Sequence, residues 1–481
     1  MKNGVILITY PDSLGRNLGD LSKVVSQYVS KAITGIHVLP FFPSSGDRGF
    51  APMTYREIDP TFGDWSDMKK LAENYDLMFD YMINHISTSS EYFQDFVEKG
   101  DDSQYKDLFI DFDKFWGSTP TEEQIGKIYK RKPMAPIRSI TFSDGTKRNI
   151  WFTFSDDQVD LNLETEEGLA FLDENLRFLA EHGAAMIRLD AFAYTTKVKD
   201  TDCFFVEPKV WEILKRCADV LEPYHVGILP EIHEHFSIQQ KLARNGYPVY
   251  DFALPMLVLH ALYFHDASYL ANWYEICPRN QFTTLDTHDG IGVVDVRGLL
   301  PDEEIEATKE HLFTYGANVK RIYNTAKYNN LDIYQINCTY YSALGENDKA
   351  YLFARALQFF SPGTPQVYYV GMLAGRNDIQ LLENSKEGRN INRHYYTLEE
   401  IEEEVQRPVV QQLIALMELR STHSAFNGEF SQQLLDKQHL ILSWKTESES
   451  IELRADFQTY EFEIVEHSWF PLEILPLFLY I

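Results

Sequence analysis

Short apolar, β-branched-rich runs alternate along much of this chain with stretches whose apolar positions recur at helical spacing. Val5 to Tyr10 reads as a strand, Leu21 to Ala32 as a helix and Ile36 to Phe42 as a second strand running into the Gly-rich loop Pro43 to Phe50. Met68 to Tyr75 then reads as a helix, and Leu77 to Ile83 as a strand ending in Asn84-His85. Strands alternating with helices at this spacing predict parallel β/α units. The rhythm lapses from Ser87 to about Glu167, where the chain is polar, aromatic and turn-rich, as in Phe115 to Pro120. It resumes with a helix from Phe171 to His182, which stops at Gly183, and a strand from Ala184 to Leu189. Four more strands are expected at Val226 to Leu229, Val249 to Leu254, Phe282 to Leu285 and Gln366 to Val370. That makes eight, the number that closes a (β/α)8 barrel. After a helix from Val409 to Leu419, led by Pro408, the tail alternates in short runs such as Leu440 to Trp444 and Ser450 to Arg454. The expected fold is therefore an α/β (β/α)8 TIM barrel over 1–86, 168–290 and 356–434. It carries two inserted subdomains, a B domain at 87–167 and a B′ subdomain at 291–355, and a small C-terminal antiparallel β domain at 435–481.

Chemistry in such barrels sits where the strands end at their C-termini. The ends here carry Asp47, then Asn84-His85, then Arg188 and Asp190, then Glu231 and His233, then Asp286 and His288-Asp289. Arg188 and Asp190 lie two apart on a strand, as do Glu231 and His233 just past one, so each pair can face one way. A single strand-end Asp or His is most often a cap, a turn residue or a hydrogen-bonded core group. Three carboxylates with His and Arg neighbours at one barrel mouth point instead to glycosyl transfer, in which one carboxylate attacks the anomeric carbon and another protonates the leaving oxygen. On this reading Arg188 keeps Asp190 ionised as nucleophile, and Glu231, with no cation beside it in sequence, carries the raised pKa of a general acid. Mg²⁺ or Zn²⁺ chemistry is the competing use of such residues, but no His-x-x-x-His or paired-Cys spacing is present.

Lys plus Arg number 44 against 72 Asp plus Glu, a net charge of −28, which disfavours nucleic acid and anionic membranes as partners. Against that balance the run from Lys127 to Arg138 stands out: Lys127, Lys130, Arg131, Lys132 and Arg138 are basic and none of the run is acidic. Such an island suits an anionic acceptor at the barrel mouth, or simply a solvated loop. Four scattered cysteines, an N-terminal apolar run too short for a signal peptide and no membrane-length stretch make a cytoplasmic protein the expectation.

Asp80 to His85, Ile187 to Asp190, Pro230-Glu231 and Thr287 to Asp289 resemble the four short signature regions of the α-amylase family of glycoside hydrolases. Gln158 to Asn162 is similar to that family's further motif at the end of its inserted domain. Leu7 to Tyr10, Tyr250 to Pro255, Leu285 to Gly292, Leu331 to Gln335, Pro365 to Gly371 and Asn392 to Tyr396 resemble its sucrose phosphorylase branch, from about residue 5 to about 430. The resemblance implies Asp190 as nucleophile, Glu231 as acid/base and Asp289 as transition-state stabiliser. It implies that Asp47, His85, Arg188, His288 and Arg389 hold the glucosyl unit between the aromatic walls Phe50 and Phe154, with Tyr194 beside them. Asp332, Tyr334, Gln335 and His233 would line the acceptor side, with Arg131 or Lys132 on phosphate. The reaction so implied converts sucrose and inorganic phosphate to α-D-glucose 1-phosphate and fructose, with retention, without metal or other cofactor, in a monomer or homodimer. Asn84 matches a calcium-binding position of many amylases, but this branch is generally calcium-free. The rivals are a phosphorylase of sucrose 6′-phosphate or glucosylglycerate, a sucrose hydrolase or transglucosidase, and a non-catalytic amylase-like binding protein, which the intact triad opposes.

Overall fold

The computed structural model describes residues 1–130, 135–317 and 335–468. Arg131, Lys132, Asp332, Tyr334 and the apolar end of the chain lie outside the described residues.

Eight strands form one sheet: β1 Ile6–Thr9, β2 Gly35–Val38, β3 Asp76–Met82, β4 Ala184–Asp190, β5 Gly227–Pro230, β6 Val249–Asp251, β7 Gln281–Thr284 and β8 Thr364–Tyr368. Their order is β6–β7–β8–β1–β2–β3–β4–β5, so each strand lies beside its neighbour in sequence, the order of a (β/α)8 barrel. Strands buried on both faces read as continuous apolar runs, which is why they were legible without alternation. Small antiparallel sheets are inserted, and a four-stranded antiparallel sheet closes the described chain.

Several elements depart from the sequence expectation for local reasons. The second strand stops at Val38 and not Phe42, with Pro40 and its missing N–H just beyond. The sixth stops at Asp251, whose carboxylate accepts the Ala253 and Leu254 N–H groups (3.2 and 3.0 Å) and turns the chain into a helix, Leu254–Phe264. That helix is buried from Leu254 through Leu262, so it shows no amphipathic period to betray it. The eighth ends at Tyr368, and Tyr369–Met372 is a helical turn. The helix expected from Phe171 begins at Glu166, because Thr165 accepts the Gly168 N–H and caps it (3.1 Å).

The described chain divides into two compact units. The first, residues 38–232, holds β3 to β5 and the turn-rich insertion. That insertion contains helices Glu91–Lys99, Phe112–Trp116 and Glu122–Lys127 and a hairpin pairing Ile137–Thr141 with Lys147–Trp151. Its Ile110, Phe112, Trp116, Ile128 and Trp151 form one core cluster with Cys203 from beyond β4. The second unit holds β1, β6, β7, β8 and the C-terminal sheet of strands Glu429–Leu434, His439–Lys445, Glu449–Asp456 and Glu461–Ser468. Along Glu449–Asp456, Ile451 and Leu453 are fully buried, the alternation that marked this tail as antiparallel sheet. Among the described residues no helix is long and apolar enough to cross a membrane.

Candidate active site

In the first unit, β3 and β4 run parallel with Asp80 opposite Arg188 and Met82 opposite Asp190. Arg188, 2% exposed, is held by carboxylates on both sides: Nη1 lies 2.5 Å from Asp80 Oδ1 and 2.8 Å from Asp190 Oδ1. Its other nitrogen, Nη2, is 3.9 Å from Glu231 Oε1, so one guanidinium serves three carboxylates. Glu231 lacks a cation beside it in sequence but not in space. Its Oε2 accepts the backbone N–H of Ala191 (2.9 Å), a residue held at φ 54° directly after Asp190. That kink joins the end of β4 to the acid just past β5.

Arg188 lowers the Asp190 carboxyl, in the sense expected from sequence, but it does not act alone. Burial pushes the Asp190 carboxyl up, to about 8, Glu231 and Asp80 add to the rise, and Arg188 only partly opposes it. The physical reason is that Arg188 is shared, while desolvation and two like charges act on Asp190 together.

Around this pair His85 Nε2 meets the Phe50 carbonyl (3.0 Å) and Gln158 Nε2 (3.1 Å), and Gln158 also donates to the Phe50 carbonyl (2.8 Å). Phe154 meets His85 edge to face at 5.3 Å and Tyr194 at 5.0 Å, while the Arg188 guanidinium lies 6.0 Å from the Phe50 ring centroid. Phe50, His85, Phe154, Arg188, Asp190, Tyr194 and Glu231 are thus linked within one unit. Asp47 begins the short turn Asp47–Gly49 after β2. Of the basic island, Tyr129 lies against Phe204 with the rings tilted (4.4 Å, 32°), and Phe204 meets Tyr194 at 5.0 Å. Lys127 pairs with Glu123 and Arg138 bonds the Asp156 carbonyl.

The second unit carries the other strand-end set. Burial alone would raise the Asp289 carboxyl, but Arg389, His288, His233 and Arg393 outweigh it and hold the group well below the usual carboxylate range. Arg389 Nη1 is 3.2 Å from Asp289 Oδ1, and His288 Nε2 is 3.5 Å from Oδ2. The backbone beneath is pinned: Asn392 Nδ2 donates to the Thr287 and Asp289 carbonyls (both 3.1 Å), and Arg393 Nε to that of His288 (3.0 Å). Gln335 Nε2 is 3.1 Å from His233 Nε2. Asp286, by contrast, is tied to the fully buried Arg355 at 2.6 Å.

Sequence reasoning gave no role to Asp80, Lys197, Asn392 or Arg393. Asp80 had a signal, as the one charged residue inside the apolar run Leu77 to Ile83. Lys197 had none. It is 5% exposed, and its ammonium meets Asn84 Oδ1 (2.7 Å), Asp160 Oδ2 (2.7 Å) and the Tyr194 carbonyl. Three oxygens of the kind that suit a hard cation thus converge on a side-chain ammonium. Asn84 stays in place through Lys197 and its own bond to Asp160 (3.2 Å).

A (β/α)8 barrel with carboxylates, His and Arg at the C-terminal strand ends is the frame of a sugar-processing enzyme. The chain belongs to the α-amylase family of glycoside hydrolases, among its glucoside phosphorylases: residues 8–245 match the α-amylase catalytic domain. It is 55% identical to the sucrose phosphorylase of Streptococcus mutans over 88% of this chain and 89% of that protein. It is 46% identical to the glucosylglycerol phosphorylase of Marinobacter adhaerens, over 92% of each. The crystal structure of sucrose 6F-phosphate phosphorylase from Thermoanaerobacter thermosaccharolyticum superposes with a TM-score of 0.93 at 44% identity, covering 97% of this chain and 98% of that one.

Proposed function

We propose that this glucoside phosphorylase acts on sucrose, converting it with inorganic phosphate to α-D-glucose 1-phosphate and D-fructose by a retaining double displacement. The observation that carries the choice of sucrose is the 55% identity to a sucrose phosphorylase, against 46% and 45% to relatives named for glucosylglycerol and sucrose 6(F)-phosphate. Asp190 attacks the anomeric carbon while Glu231 protonates the glycosidic oxygen, and fructose leaves. Asp190 attacks as the anion beside Arg188, whose field lowers its carboxyl against the effect of burial. Phosphate then attacks the glucosyl-enzyme, with Glu231 as base for its proton. Asp289, held anionic by Arg389, stabilises positive charge on the ring at both transition states. Asp47, His85, Arg188, His288 and Arg389 grip the glucosyl hydroxyls, Phe50, Phe154 and Tyr194 shape its walls, and His233, Gln335, Asp332 and Tyr334 face the acceptor. Arg131 or Lys132 meets phosphate. The reading includes a cytoplasmic setting, supported by four cysteines that are all buried thiols.

The test is incubation of the purified protein with sucrose, with and without inorganic phosphate, assaying glucose 1-phosphate, fructose and free glucose separately. Glucose 1-phosphate that forms only with phosphate, in step with fructose, is the expected result. Free glucose at one rate in both tubes would replace phosphorolysis by hydrolysis. Inactivity on sucrose alongside turnover of glucosylglycerol or sucrose 6-phosphate would keep the chemistry and change the substrate.

A further inference from the structure

Behind the Asp289 set lies a carboxylate to which the reaction above gives no task. Asp295 sits in the short turn Val294–Val296, is 2% exposed, and neither of its oxygens accepts a hydrogen bond from any described residue. Buried carboxylates without donors are costly, so one that persists beside a functional set is there for a charge or an orientation it imposes. Its room depends on Gly292: a Cβ there would come 2.2 Å from Asp295 Oδ2. His233 Nδ1 lies 3.5 Å from that same oxygen.

The opposite edge of the imidazole fixes what Nδ1 must be. Gln335 Oε1 receives the Gly290 N–H (3.4 Å), which turns the Gln335 amide NH₂ toward His233 Nε2 (3.1 Å). A ring nitrogen facing an NH₂ accepts, so the hydrogen of a neutral His233 resides on Nδ1, facing Asp295. Phe252 stacks on the ring at 3.8 Å and 19°, and Tyr250 stacks on Phe252 at 4.6 Å and 13°, so the ring plane is set as well. Hydrogen bonds thus run from Gly290, the residue after Asp289, through Gln335 to His233, and Asp295 faces the far edge of the ring at 3.5 Å.

We propose that Asp295 is a positioning residue that sets the tautomer and orientation of His233, so that His233 and Gln335 offer the acceptor one fixed pattern of donors and acceptors. This rests on the reading that His233 and Gln335 face the acceptor. Asp295 itself touches no substrate. Its carboxylate holds the Nδ1–H form and leaves Nε2 as the acceptor that engages Gln335. Without it the ring exchanges tautomers, Gln335 loses its partner in half of the population, and phosphate meets a mixed site in which water competes better.

The experiment uses the full chain with ¹⁵N-labelled histidine, His233 being assigned by its absence in His233→Asn. The native protein is expected to show a protonated Nδ1 and an unprotonated Nε2 for His233 at neutral pH. Asp295→Asn keeps an acceptor oxygen and retains that pattern, whereas Asp295→Leu gives mixed tautomers. With sucrose as donor, Asp295→Leu is expected to lower phosphorolysis relative to hydrolysis by about 10-fold through a raised KM for phosphate, with Asp295→Asn restoring most of it. Gly292→Ala, which crowds the carboxylate from outside, is expected to act in the same direction and decides the matter if Asp295→Leu does not fold. An unchanged His233 tautomer in folded Asp295→Leu or Gly292→Ala overturns the proposal, as does an equal fall in phosphorolysis and hydrolysis. If sucrose is not turned over at all, the substrate reading fails and the nitrogen spectra still decide the role of Asp295.

Discussion

At the scale of single residues, the decisive group is Arg188, because it is divided among Asp80, Asp190 and Glu231. Burial, with Glu231 and Asp80 as like charges on the same base, pushes the Asp190 carboxyl up against the pull of Arg188. In the proposed reaction Glu231 supplies the proton to the leaving oxygen. Glu231→Gln is accordingly expected to slow cleavage of sucrose by about 10² to 10⁴-fold, and much less with α-glucosyl fluoride, whose leaving group needs little protonation. Comparable losses on both donors would argue against an acid role. The pH profile of kcat/KM should inflect near 8, where the Asp190 carboxyl titrates. The same shift acts on stability. A carboxyl whose folded pKa lies above its unfolded value binds its proton more tightly when folded. Its contribution therefore falls as pH rises from about 4 to about 8. Asp190→Asn should thus melt above the native protein at pH 8 to 9, with the gap closing toward pH 5, as thermal denaturation would reveal. A gap independent of pH would mean that Asp190 is not the group that titrates.

At the scale of elements, what matters is how loops are held at strand ends. The first unit ties three of them together with Lys197, whose ammonium joins Asn84, Asp160 and the Tyr194 carbonyl. The antiparallel pairing of His85–Ser87 with Gln158–Asp160 places His85 opposite Asp160, so whatever fixes Asp160 fixes the His85 backbone. Lys197→Met leaves Asp160 buried and uncompensated, and is expected to cost about 3–5 kcal/mol in urea denaturation. Retained stability would show that the Thr153 N–H and hydroxyl, which also bond Asp160 (2.7 and 2.6 Å), suffice alone. In the second unit the corresponding devices are Asn392 and Arg393, which hold the Thr287 to Asp289 backbone by its carbonyls. They sit in a segment whose sequence pattern was noticed, although their task was not. Hydrogen bonds to backbone across about a hundred residues leave no local trace in the chain.

For the whole molecule, a net charge of −28 repels phosphate, and only a local basic field at the acceptor side would reverse that. If the island around Arg131 and Lys132 supplies it, raising ionic strength from about 0.01 to 0.15 M should raise the KM for phosphate and leave that for sucrose nearly unchanged. A falling KM for phosphate would mean that the global charge dominates and that the island lies elsewhere. The eight strands, the strand-end carboxylates and the C-terminal sheet were legible in the sequence, because burial on both faces, motif spacing and alternation are local properties. Helix Leu254–Phe264 was not, since a helix buried all round has no polar face to give it a period. The charge states were not legible either. Asp80 and Arg188 are 108 positions apart and become opposite partners only through the β3–β4 register, and how far burial outweighs a shared cation is a property of everything packed around Asp190. The sequence by itself thus determined which residues stand at the strand ends. Tertiary structure alone decided which of them share a base, which titrate outside the ordinary range and which, like Lys197 and Asp295, hold others in place, because those outcomes depend on contacts between segments far apart along the chain.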